Sequence, residues 1–569
     1  MSAAATDMPR APDAAIAERD DGTIPPAAAA AAAQAAFVPV PLPRILAYVA
    51  TSIFIALTQG FAQGLVPAVL PQIAGQIGAT TTEATWLVVG FMVPKTAVPL
   101  LLIKIRTQFG LRLFTEVGVS CFVLVSALAL FESDLRATVA VQFLSGLSSA
   151  SLSTLAFLYM LEGLAPALKM RLGLPLALTF LSLGSPLARV VAPPLMGDGS
   201  WQVLHLLVLG MALVSLALVF LLPLKPMPRA KVIAPMDVAS FALIATALGG
   251  LTAVFSMGPT LWWTAVPWLG WTLALSFAAM AVAVVIELHR KVPLIDVHWI
   301  TSGPILHLAG VLLLLRLILS EQAAGAPRMF MALGLGPDQL TGLFGAIVAA
   351  SIAGGIACAA VMKPGRESRI HLFALLLIAL GAWLDSRSTI DTRPAQMLAS
   401  QSMIAFAAAM FLPPAMLSGL LQALAKGPAY ILSFVIVFLT TQAIGGTLGS
   451  GLFTTFINER QAVHLAELAN NLPVTSQIVS GQVAALTGGM SGVLTDPLLR
   501  QAQAVSQIAD EAGAQAFVLA YNDAFLLTAL AAAGAAIILV LHMLRDRMAG
   551  TAAAAIAPPA SSNPPQVTP

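Results

Sequence analysis

Apolar runs of about 20 residues, separated by short polar loops, recur along nearly the whole chain. A run of that length crosses a bilayer as a helix. The pattern predicts fourteen spans, at 45–70, 84–103, 113–131, 137–161, 172–196, 201–223, 238–257, 265–286, 304–333, 339–362, 370–385, 395–425, 428–456 and 521–544. The runs are continuous rather than alternating, which excludes a membrane β-barrel. Only one connection is long. Residues 457–520 are polar and helix-prone, around LLRQAQAVSQIADEAGAQAFVLAYNDAF.

Composition sharpens the picture. The chain of 569 residues is 58% hydrophobic and only 9% charged, with a mean hydropathy of +0.90. Soluble proteins carry about 25% charged residues, so this is an integral protein of the lipid bilayer. The net charge of +2 leaves no footprint for nucleic acid. Cys121 and Cys358 lie inside apolar runs, which excludes a disulfide framework and a cysteine-based metal site. No phosphate-binding glycine loop with lysine, zinc-spaced histidine pair or nucleophile motif is present. The chain therefore reads as a non-enzyme without cofactor or metal.

Lys and Arg fall mostly in the loops on one side of the predicted spans. By the positive-inside rule, this places both termini in the cytoplasm. Residues 1–42 and 548–569 read as disordered cytoplasmic tails. Two short basic loops echo each other, IKIRTQFGLR at 103–112 and MKPGRESR at 362–369. They suggest two six-helix bundles, 43–223 and 304–547, separated by two inserted helices in 224–303, with 457–520 as an extended periplasmic loop. Repeated halves around a cavity are a transporter pattern.

The candidate chemistry lies in the few charges within spans. Trp86–Ile103 carries Lys95 near its middle, flanked by Pro94 and Pro99. A lysine there costs about 2.5–3.5 kcal/mol on insertion scales, and such charges face protein or a water-filled cavity. The alternative is a lysine that pairs with a carbonyl and only holds the bundle together. Arg189 lies in span five near Pro186, Pro193 and Pro194, which predict a bend or local unwinding; it either faces the path or snorkels to the interface. In span nine, His307, Glu321 and Arg328 are spaced to share a helical face, with Arg316 pointing elsewhere. If that span runs on to Leu333, Glu321 is its buried carboxylate, the only one deep in the membrane, and the leading proton site, with Arg328 a candidate partner. Gln59, Gln63, Gln142 and Gln442 are neutral groups able to bond across helices or to a ligand. Gly146, Gly445, Gly446, Gly449 and Gly451 read as packing positions. Trp262, Trp263, Trp268 and Trp271 read as an interfacial belt.

Several stretches across 44–547 form a recognisable set: VLPQIAGQIGATTTEATW (69–86), the basic loop with Gly110 and Arg112, Gly146, the glycines Gly445, Gly446 and Gly449, and QAFVLAYNDAF (515–525). On these residues the chain resembles the fourteen-helix EmrB/QacA-type drug:proton antiporters of the major facilitator superfamily. It implies an all-α major facilitator fold, export by alternating access in the bacterial inner membrane, inward proton flow, and a periplasmic membrane-fusion adaptor as partner. The departures are specific. Ala62 stands where the family has an aspartate, Ile103 and Thr107 replace loop-motif residues, and Gln142 and Gln442 stand for arginines. The span-five motif is unrecognisable in GSPLARVVAPPL (184–195).

The reading is a secondary exporter of small organic molecules. Lys95, Arg189, Arg316, Glu321, Gln63, Gln142 and Gln442 are its substrate or proton pathway, and Lys95 and Arg189 favour an anionic substrate. Two alternatives fit the neutral positions: a proton-independent facilitator, and a membrane sensor or assembly protein that kept the fold.

Overall fold

In lipid, a backbone N–H or C=O without a partner costs several kcal/mol, so each apolar run closes its own hydrogen bonds as a helix. The computed structural model describes residues 40–556 apart from 133, 198, 226–228, 291–292, 364, 428–429 and 472–475. Among these, helices and turns account for the ordered elements and no strand is present. Thirteen helices are long and apolar enough to span, and a bent pair makes a fourteenth.

These are span 1 (Leu42–Ala68), span 2 (Thr81–Ala97 with Pro99–Phe109), span 3 (Leu111–Phe131), span 4 (Leu135–Leu161), span 5 (Pro166–Met196), span 6 (Gln202–Leu221) and span 7 (Pro235–Leu261). They continue with span 8 (Pro267–His289), span 9 (Gly303–Ala332), span 10 (Pro337–Val361), span 11 (Glu367–Asp385), span 12 (Pro394–Lys426), span 13 (Ser433–Asn470) and span 14 (Pro497–Met548). Residues 1–39 and 557–569, within the expected tails, lie outside the described residues. The last helix continues to Ile556.

Spans 1 to 6 share one apolar core, from Tyr48 to Leu224. A second core gathers Trp299 to Ala536 with Leu174 and Leu178 of span 5. A third, rich in aromatics, lies among spans 9, 10, 13 and 14, with Val190 of span 5 against it. The loops carrying Gly110, Lys169 and Lys363 mark one end of the bundle, called here the basic end. The start of span 1 lies there beside the end of span 6, where Tyr48 donates to the Pro223 carbonyl at 3.3 Å. Spans 1 and 5 touch at backbone distance, because a methyl group on Gly60 would run into Gly184 and one on Gly184 into Gly60. Gly146 likewise lets span 4 meet the carbonyl of Phe91 and the ring of Pro94.

Three irregularities follow from sequence. Span 2 bends by 49° at Val98, because Pro99 offers the Lys95 carbonyl no N–H. Span 9 contains a π-turn at Glu321–Gly325 just before Pro327. Span 5 differs from expectation. It stays helical from Leu174 to Met196 through all three prolines, and its irregular turn is a π-turn at Lys169–Gly173. The long connection also differs from a loop. Span 13 extends as one helix from Tyr430 to Asn471, and span 14 begins as helix at Pro497. Between them lies a further helix, Gln477–Gly489.

Candidate functional site

At the bend of span 2, Lys95 donates to the side-chain carbonyl of Gln63 in span 1. Gln59 donates to the same oxygen at 3.2 Å, one turn away. The ammonium also lies 5.4 Å from the centre of the Phe91 ring. Lys95 forms no ion pair among the described residues. A carbonyl partner is present, and the charge has no ion-pair partner among the described residues. The side chain keeps accessible surface although it lies deep among helices, as a group lining a crevice does.

Glu321 is fully buried, and its neighbourhood corrects the sequence expectation in two ways. It is not the only buried carboxylate. Gln401 at the start of span 12 donates its Nε2 to Glu321 Oε1 at 3.0 Å and to Asp385 Oδ2 at 2.8 Å. Ser400 donates to the other oxygen of Asp385. Asp385 is 2% exposed and Gln401 0%, so three spans bury two carboxyl groups around one amide. Among the described residues Glu321 Oε2 has no hydrogen-bond partner.

Nor does Glu321 pair with Arg328, which donates to Thr454 Oγ1 at 2.7 Å. Of the three residues expected on one face, His307 and Arg328 are exposed and Glu321 is buried. The π-turn at Glu321–Gly325 inserts one residue into the helical repeat, so the face is rotated between Glu321 and Arg328. His307 is exposed, with its ring 6.1 Å from that of His542.

Arg316 and Gln442 are brought together, but through the backbone. Arg316 Nε donates to the Gln442 carbonyl at 3.1 Å and its side chain lies over Gly445 and Gly446. The glycines of span 13 thus make room for an arginine from span 9, and the Gln442 amide nitrogen has no partner. Gln142 stands apart. It lines a small pocket within spans 1, 3, 4 and 6 with His205, Ser126 and Ser145.

Arg189 does not reach outward along its own helix. Its guanidinium lies 5.1 Å from the centre of the Phe344 ring in span 10. Of the tryptophans, Trp271 is 76% exposed as a belt residue would be. Trp263 instead donates to Thr455 Oγ1 at 2.8 Å and packs on Gly258, so it fastens span 7 to span 13.

A charge cluster at the basic end was not anticipated. Lys104 and Arg290 approach the two oxygens of Asp237 at 2.8 and 2.6 Å, and Arg290 reaches Glu287 at 2.7 Å. Glu287 also accepts from the backbone N–H groups of Leu294 and Ile295. Burial disfavours the Arg290 charge, but its bonds to Asp237 and Glu287 outweigh that and hold it above its ordinary pKa. The signal was Asp237 two residues after Pro235 in the first turn of a helix, a position that looks like ordinary capping. Among the described residues no group of three or more His, Cys, Asp or Glu could hold a metal ion.

No family model matches the chain. It is 27% identical over 235 residues to the fatty acid resistance protein FarB of Neisseria gonorrhoeae, which covers 40% of this chain. The match spans 44% of FarB, less than half of that relative's length. The chain superposes on the human organic anion transporter MFSD10 (TETRAN) with a TM-score of 0.52 and 15% identity. That superposition covers 87% of this chain and 100% of the other. A bacterial homologue of the human drug peptide transporters PepT1 and PepT2 superposes with a TM-score of 0.49 and 12% identity, over 89% of this chain and 99% of its own. The chain has the all-helical, many-span major facilitator fold.

Proposed function

We propose that the chain is a divergent fourteen-helix exporter of EmrB/QacA type that drives small organic anions out of the cytoplasm with inward proton flow. The basic end faces the cytoplasm and the opposite end the periplasm. Spans 1 to 6 and 9 to 14 alternate around the space between them, with spans 7 and 8 as an inserted pair.

The observation that carries proton coupling is the Glu321–Gln401–Asp385 group. Two carboxylates this close and this buried repel each other, and among the described residues neither has a cation within ion-pair distance. Such a pair holds a proton, because like charges in a low-dielectric site disfavour double ionisation. It also supplies an acid that the neutral family position Ala62 does not. Uncompensated Lys95 and Arg189 suit a carboxylate-bearing cargo, since membrane-buried cations need an anionic partner. The likeness to a fatty acid resistance protein supports an acyl-chain carboxylate as that cargo. The helical extensions to Asn471 and from Pro497 offer a docking site for a membrane-fusion adaptor.

The test is accumulation of a compound panel that includes medium-chain carboxylates, in cells lacking their major exporters. The reading requires lower accumulation when the protein is present and reversal of that difference by a protonophore. Lower accumulation that survives the protonophore would instead establish a facilitator.

A further inference from the structure

Two arginines, from spans 5 and 9, border the same aromatic core, and neither has an ion-pair partner among the described residues. Arg189 comes from span 5, about 10 Å along the helix from its end at Met196, at 1.5 Å per residue. Arg328 comes from span 9, about 6 Å from its end at Ala332. Both adjoin the same aromatic core. Arg189 lies over Phe344 and its neighbour Val190 packs on that core, while Arg328 follows Ala326 and Pro327 and precedes Met329 within it. The two side chains therefore border one core, Arg189 from the side of Phe344 and Arg328 from the side of Thr454.

Neither forms an ion pair among the described residues. Phe344 and the Thr454 hydroxyl are neutral partners. Tyr521 stands near Arg328 and is neutral at ordinary pH. Arg328 remains exposed and Arg189 partly accessible although both lie among packed helices. The space they face is therefore reachable.

We infer that Arg189 and Arg328 form a carboxylate clamp that bridges the two halves of the transporter. Its ligand is a monocarboxylate with an apolar body. The planar forks of two guanidinium groups match a carboxylate, and a bound anion removes the repulsion between them. Phe453, Phe456 and Phe517 are partly buried around the same core and leave apolar surface for the ligand's body. Because one arginine belongs to each half, the ligand draws the halves together at the end away from the basic loops. The inference rests on the transporter reading above and adds to it the place and chemistry of the cargo's head group.

The experiment uses the full chain in nanodiscs and radiolabelled decanoate, with empty nanodiscs as the partition control. Saturable binding is expected, with decanol and decyltrimethylammonium as poor competitors. Arg189→Gln and Arg328→Gln should each weaken binding at least about tenfold, the scale of one lost charge-assisted contact. The double variant should lose little more than either single one, since a clamp fails when one side is removed. Wild-type affinity in the Gln variants, or equal competition by decanol, overturns the clamp.

If the Gln variants do not fold, a photoactivatable decanoate on the wild-type protein decides. Labelling of spans 10 and 13, displaced by decanoate, supports the site, and labelling confined elsewhere overturns it. Export that persists in the double variant would sink the clamp and leave the exporter standing. Charge-selective binding without export would do the reverse.

Discussion

Glu321 and Asp385 are tied to the same amide nitrogen, Gln401 Nε2, at 3.0 and 2.8 Å. One N–H2 group thus serves two buried carboxyl groups from spans 9 and 11, and span 12 supplies the link. On the proposed reading this group handles protons, apart from Lys95 in span 2 and Arg189 in span 5.

Replacing either acid should uncouple the transporter. In Glu321→Gln or Asp385→Asn, proton-driven accumulation of substrate in inverted vesicles should fall to background. Exchange of labelled for unlabelled substrate across the vesicle membrane should persist, since exchange needs no net proton movement. Loss of exchange together with driven transport would mean that the pair is structural.

Lys95→Ala should abolish export of a carboxylate substrate while the protein remains folded, because the charge beside Gln63 is lost and no neighbouring cation replaces it. Lys95→Arg should restore part of the activity. Efflux rates beside a thermal unfolding scan check both statements. Unchanged export in Lys95→Ala would remove this residue from the path.

The cluster at the basic end predicts an asymmetry in stability. Asp237→Asn leaves Lys104 and Arg290 without their shared anion and should cost about 3–5 kcal/mol, the range for one partner removed from a buried pair. Lys104→Met should cost less, because Arg290 still meets Asp237 at 2.6 Å. Denaturation of the two variants in the same detergent ranks them, and equal losses would contradict the geometry.

Gly60→Ala should destabilise the junction of spans 1 and 5. The added methyl meets the Gly184 backbone, which cannot turn aside as a side chain could. Overpacking costs about 1–3 kcal/mol and occasionally more. A fall in the unfolding temperature is expected, and a neutral result would show that the helices can separate.

The spans were legible because length and continuity of apolar runs determine them, and Pro99 marked the break in span 2. The pairing of Lys95 with Gln63 and of Arg316 with Gln442 joins residues already singled out, although only the structure shows that the second pair uses a backbone carbonyl. Asp385 escaped because it is the last residue of its span and reads as a boundary charge. Its partner Gln401 lies early in the next span, and no periodicity links two helices across a turn. The expected face of Glu321 and Arg328 failed because the π-turn between them cannot be read from hydrophobic spacing. The connection 457–520 looked like a loop because its helices lack an apolar stripe long enough to span. Ile478 at 81% and Leu498 at 77% exposure stand out from their surroundings.

The most direct test of the central claim is proton movement measured with a pH-sensitive dye trapped in proteoliposomes holding the purified chain. Addition of decanoate should move protons against the substrate in the wild type, and Glu321→Gln should abolish the signal without abolishing decanoate exchange. Decanoate flux without a proton signal in the wild type would contradict proton-coupled export.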